Sequence, residues 1–463
     1  MRKKTIHLMI IFIFILTFLA AILVYPRYFN SGVNFLNEKF SLDLPLFSEK
    51  TYKLKYDLKG GTWFLYEIDF SKQDGDNILQ GLEDIIEKRI SKVGIEEFSV
   101  KAKKLAGPCQ LIIEVIGEDV EENMVKIIER PPFVEFREQR SEEETENLLQ
   151  KQEEAMGKSF EELQEMEEWY LAFEDPYFKP TALSGEHLDK IELLFNRVTL
   201  KPVISLEFNE EGARIFEDLT SKNIDKPLAI YIDQDLVSSF SVREKISGGR
   251  TQLSGDFGLK QAEIMAGSLE AAAFWDRARL ISQKTTSPKD AALALKNIFK
   301  AGLVTFLAVT FFMIIIYRLF GVLASIGLGI WLILIGALVK LIPITLSTFG
   351  ILGFIVAIGI YANIHMLIFA RIRKELQEKK IFSIGLRQGF QKSWFLVRNN
   401  FLIILIISLL LFFEGPESAL DFTLSFGLGV LVTIFCTTFI TRIFLRCCEG
   451  TRIERWSWLW NKI

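Results

Sequence analysis

Few side chains in this chain stand in arrangements that make or break bonds. Its three histidines, His7, His187 and His365, are far apart, and no GxSxG, HExxH or Walker pattern is present. Gly60-Gly61 and Gly248-Gly249 are not phosphate loops, because neither opens a helix after a strand at the required spacing. The four cysteines, Cys109, Cys436, Cys447 and Cys448, show no metal-ligand spacing, and Cys109 has no disulfide partner in the charged part of the chain. No enzyme activity, metal or cofactor is expected. What remains is proton chemistry. His365 lies inside a long apolar stretch, and its unperturbed pKa is near the working range. A proton carrier inside a membrane must gain and lose charge. The competing reading is a buried, hydrogen-bonded contact between helices.

The elements that would hold His365 follow from how charge is distributed. Half of the residues are hydrophobic, yet 24% are charged. Six stretches contain no Asp, Glu, Lys or Arg: 6–25, 301–317, 319–339, 344–370, 399–413 and 422–441. A helix needs roughly 20 apolar residues to cross the hydrocarbon layer. The pattern predicts six transmembrane helices, one followed by five, around one large soluble region. The first follows Arg2, Lys3 and Lys4, but runs into Val24-Tyr25-Pro26 with no small-residue cleavage site, so it reads as an uncleaved anchor. Basic residues gather at the N-terminus, in the loop after the fourth span (from Arg371 to Arg398) and after the sixth (Arg442 to Lys462). The loop around Glu414–Ser418 has none. By the positive-inside rule both termini are cytoplasmic and residues 27–297 extracytoplasmic. The net charge of −4 carries no signature of nucleic-acid binding.

In the soluble region, residues 51–70 alternate as a strand with Gly60-Gly61 inside it, and 76–93 have helical spacing. Strands Phe98–Lys103 and Gln110–Ile116, a helix near 120–129 and a strand Val134–Arg137 follow. This β-α-β-β-α-β order matches a ferredoxin-like unit. Residues 141–175 hold thirteen acidic and two basic residues and read as a solvated helical insertion. A second α/β unit begins with strand Val203–Phe208, a helix capped by Asn209 and carrying Glu211 and Glu217, and strand Leu228–Ile232. A turn at Asp233–Asp235, a strand Val237–Lys245 and a helix over 258–273 complete it. The expected boundaries are 1–26 (first span), 27–140 (ferredoxin-like half), 141–200 (acidic inserted subdomain), 201–297 (second half), 298–446 (five-helix bundle) and 447–463 (tail).

Several motifs, in order, resemble the SecD family of the RND superfamily. Tyr56-Asp57-Leu58-Lys59-Gly60-Gly61-Thr62 resembles its D-L-R-G-G motif. The run Lys201–Arg214, including Gly212, then Leu228–Asp233, Ile246-Ser247-Gly248-Gly249 and Leu253-Ser254-Gly255-Asp256-Phe257, follow the family pattern in order. Ile368–Glu375 resembles the I-F-E-R-I-R-E-E that ends the family's fourth helix. The likeness extends from about Leu8 to Phe444. It implies an accessory subunit of the Sec protein translocase in the bacterial cytoplasmic (inner) membrane. Its implied partners are a SecF-like subunit, the SecYEG channel, the unfolded polypeptide being translocated and membrane lipid. In the family, proton flow through the spans drives the exterior domain to pull the chain outward.

The departures fall on that proton path. Where the family's fourth helix carries G-x-x-x-D-A-N, this chain has Gly359-Ile360-Tyr361-Ala362-Asn363-Ile364-His365. Where the fifth begins near D-A-N, it has Arg398-Asn399-Asn400. Asn363 cannot titrate and Arg398 is always protonated. Asn363 and Asn400 could keep hydrogen-bond geometry without charge. His365 is two residues from Asn363, about 200° around a helix, so it should face away from the place where Asn363 points. Other departures are Gln234-Asp235 and Phe240, where the family has Gly and Pro, and Glu270–Ala273 in place of G-A-L-P. Proton coupling through this subunit is therefore in doubt. Two other readings stand: an RND-like half-transporter for a small hydrophobic molecule, and a non-motor scaffold that stabilises the translocon.

Overall fold

The computed structural model describes residues 3–41, 43, 45–68, 75–95, 97–103, 109–117, 130–158, 162, 169–196, 199–255, 257–273, 278–342, 344–378, 381–414, 417–449 and 451. The chain divides into two compact units, Met1–Gly60 with Thr286–Ile463, and Gly61–Thr285. The first opens with α1 (Lys3–Val24), α2 (Pro26–Phe40) and a single helical turn, α3 (Tyr56–Lys59). The second holds β1 (Gly61–Ile68), α4 (Gly75–Lys92), β2 (Phe98–Lys103), β3 (Cys109–Ile116), β4 (Val134–Gln139) and α5 (Glu142–Ala155). It continues with β5 (Phe178–Ser184), β6 (Leu188–Phe195), β7 (Pro202–Phe208), α6 (Glu210–Lys222), β8 (Pro227–Ile232), β9 (Asp235–Ser241), β10 (Arg250–Leu253), α7 (Leu259–Ala273) and β11 (Ala278–Thr286). The first unit resumes with α8 (Pro288–Tyr317), α9 (Leu319–Leu341), α10 (Thr348–Gln377), α11 (Phe382–Glu414), α12 (Glu417–Phe435), a π-helical turn Cys436–Thr441 and α13 (Arg442–Cys447).

Six helical segments among the described residues are long and apolar enough to cross a membrane: Thr5–Val24, Pro288–Tyr317, Leu319–Leu341, Thr348–Gln377, Phe382–Phe413 and Ser418–Cys447. A helix satisfies its own backbone, as hydrocarbon requires. Some polar side chains inside the bundle find partners on a neighbouring helix. Trp331, fully buried, donates its indole N–H to the Gly429 carbonyl at 3.1 Å. That approach needs glycine, because a Cβ at position 429 would lie 2.6 Å from the Ala357 Cβ.

The second unit has three sheets, ordered β11-β1-β3-β2, β5-β4-β8-β9 and β10-β7-β6, around one apolar core that includes Phe64, Ile86, Phe136, Leu206, Phe216, Ile230 and Leu269. β1 and β2 both run antiparallel to β3. The β-α-β-β-α-β order is realised, but its closing helix and strand come from far along the chain. β11 pairs with β1, while β4, expected to close the first unit, pairs with β5 and β8 instead. The helix expected near 120–129 lies outside the described residues.

Further expectations are corrected. Residues 56–59 form a helical turn rather than continuous strand, and β1 starts only at Gly61. The two compact units divide at Gly60/Gly61 and Thr285/Thr286. Within 141–200, β5 pairs with β4 and β6 with β7. The strand expected to reach Lys245 ends at Ser241.

The acidic segment is held down by specific polar contacts. Ser141 and Glu144 close a reciprocal capping box on α5. Farther on, Asp175 accepts hydrogen bonds from the Tyr177 and Phe178 N–H groups at 2.8 Å and from the Tyr231 hydroxyl at 2.6 Å. The Arg137 guanidinium lies 4.1 Å from the Tyr231 ring. Burial alone raises the Asp175 carboxyl, but the donated hydrogen bonds, with Arg137 nearby, outweigh it and hold the group below its ordinary range. A carboxylate with a depressed folded-state pKa contributes stability that is present above the unfolded value, near 3.9, and lost as pH falls through the folded one. Thermal melting of the wild type should therefore fall more steeply below about pH 4 than that of Asp175→Asn. Parallel acid limbs would remove Asp175 from this role.

Candidate functional site

His365 sits fully buried in α10. Its Nδ1 is 2.8 Å from the Tyr361 carbonyl oxygen and its Nε2 is 2.9 Å from the Thr441 hydroxyl. A carbonyl only accepts, so Nδ1–H donates to it. A neutral ring then accepts at Nε2 from Thr441. The ring stacks on Tyr361 at 4.1 Å and meets Phe369 edge-on at 5.6 Å. The Tyr361 hydroxyl donates to the Ala324 carbonyl at 2.8 Å. Thr441 is the last residue of the π-helical turn, an element that re-aims side chains within a helix. His365 is thus a saturated interior contact joining α10, the π turn and, through Tyr361, α9. The uncharged stretches around it contribute no carboxylate.

Asn363 points the other way and is exposed. It borders a shallow cleft between Val309 and Phe312 of α8 and Gly359, Ala362 and Met366 of α10. Arg398 is exposed on α11, 5.3 Å from the Phe395 ring, and Asn400 is half-buried. Among the described residues no hydrogen bond or ion pair joins Asn363, His365, Arg398 and Asn400. The four positions do not form one cluster within this chain.

Asp57, Lys59 and Gly60 of the D-L-K-G-G motif fall in the compact unit that contains the membrane helices. Lys55 and Leu346 exchange backbone contacts, with Lys55 N–H donating to Leu346 O at 2.9 Å and Leu346 N–H donating to Lys53 O at 2.8 Å. The Lys55 ammonium, 6% exposed, pairs with Asp421 of α12, 18% exposed, at 3.1 Å. Asp57 accepts the Thr348 N–H at 2.7 Å, beside the Ser347 N-cap of α10. A carboxylate at a helix N-terminus is favourable by about 0.3–1 kcal/mol. Residues 53–57 therefore strap together the starts of α10 and α12. Lys59 is exposed. Gly60 has φ 99°, and a Cβ there would lie 3.1 Å from Pro288. Gly61 has φ 141°, and a Cβ there would lie 2.1 Å from the Val115 carbonyl oxygen. Both glycines are required by geometry.

In the second unit, Gly212 lies in the first turn of α6 and its N–H is taken by the Asn209 side chain at 2.8 Å. A Cβ on Gly249 (φ 69°) would lie 2.7 Å from the Ala213 Cβ. Gly248 has φ 95° in open space, and Gly255 abuts the Phe257 ring. These positions shape turns around α6 and before α7. They do not line a common pocket. Lys55, Thr348 and Asp421 were not singled out by sequence. The available signal was a lysine beside the motif and a lone acid at the edge of the sixth uncharged stretch.

Six apolar spans with a large α+β unit between the first and the second define a multi-pass membrane protein with one large domain outside the spans. Residues 147–275 match the family model described as the SecDF P1 head subdomain, and residues 268–449 match that of the SecD/SecF protein export membrane protein C-terminal region. The protein translocase subunit SecD of Dictyoglomus turgidum is 26% identical over 401 residues, covering 85% of this chain and 90% of that protein. The subunit SecD of Endomicrobium trichonymphae is 29% identical over 416 residues, covering 85% and 87%. In fold, the chain is similar to a Thermus SecDF, described as a translocon-associated membrane protein, with TM-score 0.70 and 23% identity. That likeness covers 97% of this chain, which spans 59% of the other. The chain belongs to the SecD family of protein translocase subunits.

A buried ion pair broken on one side costs about 3–5 kcal/mol, because the remaining charge is stranded. Lys55→Met and Asp421→Leu should each lower thermal stability of the purified full-length protein on that scale. The double variant should cost clearly less than their sum. Additive effects in this cycle would show that the two charges do not depend on each other.

Proposed function

We propose that the chain acts as an accessory subunit of the Sec protein translocase, pairing with a SecF-type partner beside the SecYEG channel and contacting the translocating polypeptide on the outer side of the bacterial inner membrane. The observation that carries this reading is the continuous likeness to SecD translocase subunits over 85% of the chain. The arrangement of basic residues at the termini and in the loop after the fourth span supports cytoplasmic termini and an extracytoplasmic second unit. That unit offers suitable surface for an extended peptide. β9 and β6 are sheet edges, and Leu236, Leu194 and Phe195 on them are exposed. Edge strands supply main-chain hydrogen bonds that do not depend on the guest's sequence. The SecD relatives favour this reading over a half-transporter for small hydrophobic molecules.

The spans of this subunit do not carry protons through a carboxylate. Asn363 and Arg398 stand at the family's acidic positions, and both nitrogens of His365 are already paired. Movement of the exterior unit is then driven by the partner or by the channel.

A photo-crosslinking residue at Leu236 or Leu194 of the full chain, in membrane vesicles with its partners, should capture a secretory precursor arrested in the channel. The same residue at Ile315, on an exposed face of α8, should not. Export that proceeds with no exterior crosslink would favour a scaffold that only stabilises the channel.

A further inference from the structure

At one end of the bundle, the start of α1, the start of α11 and α13 border a cleft of about 680 Å3. Three arginines, Arg387, Arg442 and Arg446, face it, and Ile6, Phe390 and Leu445 form an apolar wall. Arg387 and Arg442 are exposed and Arg446 is half-buried. Arg442 lies within Coulombic reach of both other guanidiniums and 5.8 Å from the Phe390 ring. Glu449 also lines the cleft. Like charges gathered on three packed elements repel one another, and an anion among them relieves that repulsion.

The depth of the cleft indicates which anion. Arg442 directly follows the uncharged stretch 422–441, and Ile6 begins the stretch 6–25. The arginines therefore stand where a span leaves the hydrocarbon, at the level of lipid headgroups. Guanidinium forks match phosphate oxygens bidentately. Basic pockets between spans suit anionic headgroups, and an apolar wall beside them suits the glycerol and first acyl carbons.

We propose that this cleft is a binding site for the phosphate of an anionic phospholipid in the adjoining leaflet. The test is native mass spectrometry of the delipidated full-length protein, titrated with phosphatidylglycerol, phosphatidylcholine or inorganic phosphate. Phosphatidylglycerol should be retained over phosphatidylcholine, and inorganic phosphate should not displace it. The double variant Arg387→Gln/Arg442→Gln should weaken retention roughly tenfold or more. Arg387→Lys/Arg442→Lys, which keeps the charges but loses the forks, should retain more lipid than the Gln variant and less than the wild type, with unchanged melting of both variants reporting an intact fold. Lys374→Gln, which removes an exposed charge from α10, should have no effect. Three results overturn the proposal: equal retention of both lipids, competition by inorganic phosphate as for a soluble anion, or loss of retention in Lys374→Gln equal to that in the double variant.

Discussion

Hydrocarbon offers no water to a polar group, and this exclusion organises the membrane half of the molecule. Backbone polarity is absorbed by six apolar helices. Several buried polar side chains find a partner within reach, as with the Trp331 indole on the Gly429 carbonyl and the His365 ring between Tyr361 and Thr441. Formal charge is driven to the ends of the bundle. At one end Lys55 and Asp421 pair and Asp57 caps α10. At the other, arginines collect around the cleft beside α13.

The same exclusion bears on energy coupling. A carboxylate in a span is costly, and it persists where proton transfer requires it. This chain keeps the SecD architecture and motif order but has amide and guanidinium groups at the positions where the family pattern has acids. His365 is not a relocated acid. It occupies the inward face of α10, opposite Asn363, and makes contacts that structure alone explains. Residues 55 and 57 fasten the chain to α12 and α10 just before Gly61.

Local physics was legible in the sequence, and long-range pairing was not. The six spans followed from the absence of charge, and α4, β2, β3, β8 and the Asn209 cap followed from spacing and residue type. The inward turn of His365 away from Asn363 followed from the helical period. By contrast, β4 alternates as well as any closing strand, and nothing in its own residues says that it pairs with β8 while β11, far along the chain, pairs with β1. The strand expected through 51–60 failed for a related reason. Its alternation is real, but Asp57 and Lys55 are held by Thr348 and Asp421, partners that no local window contains.

The central claim is that the spans of this subunit provide no proton route of their own. Proton uptake into proteoliposomes tests it most directly, with the chain paired to its SecF-type partner after the acids in the partner's spans are changed to amides and a membrane potential is imposed. The account predicts uptake no faster than in protein-free vesicles. Potential-driven uptake that His365→Gln abolishes would contradict it.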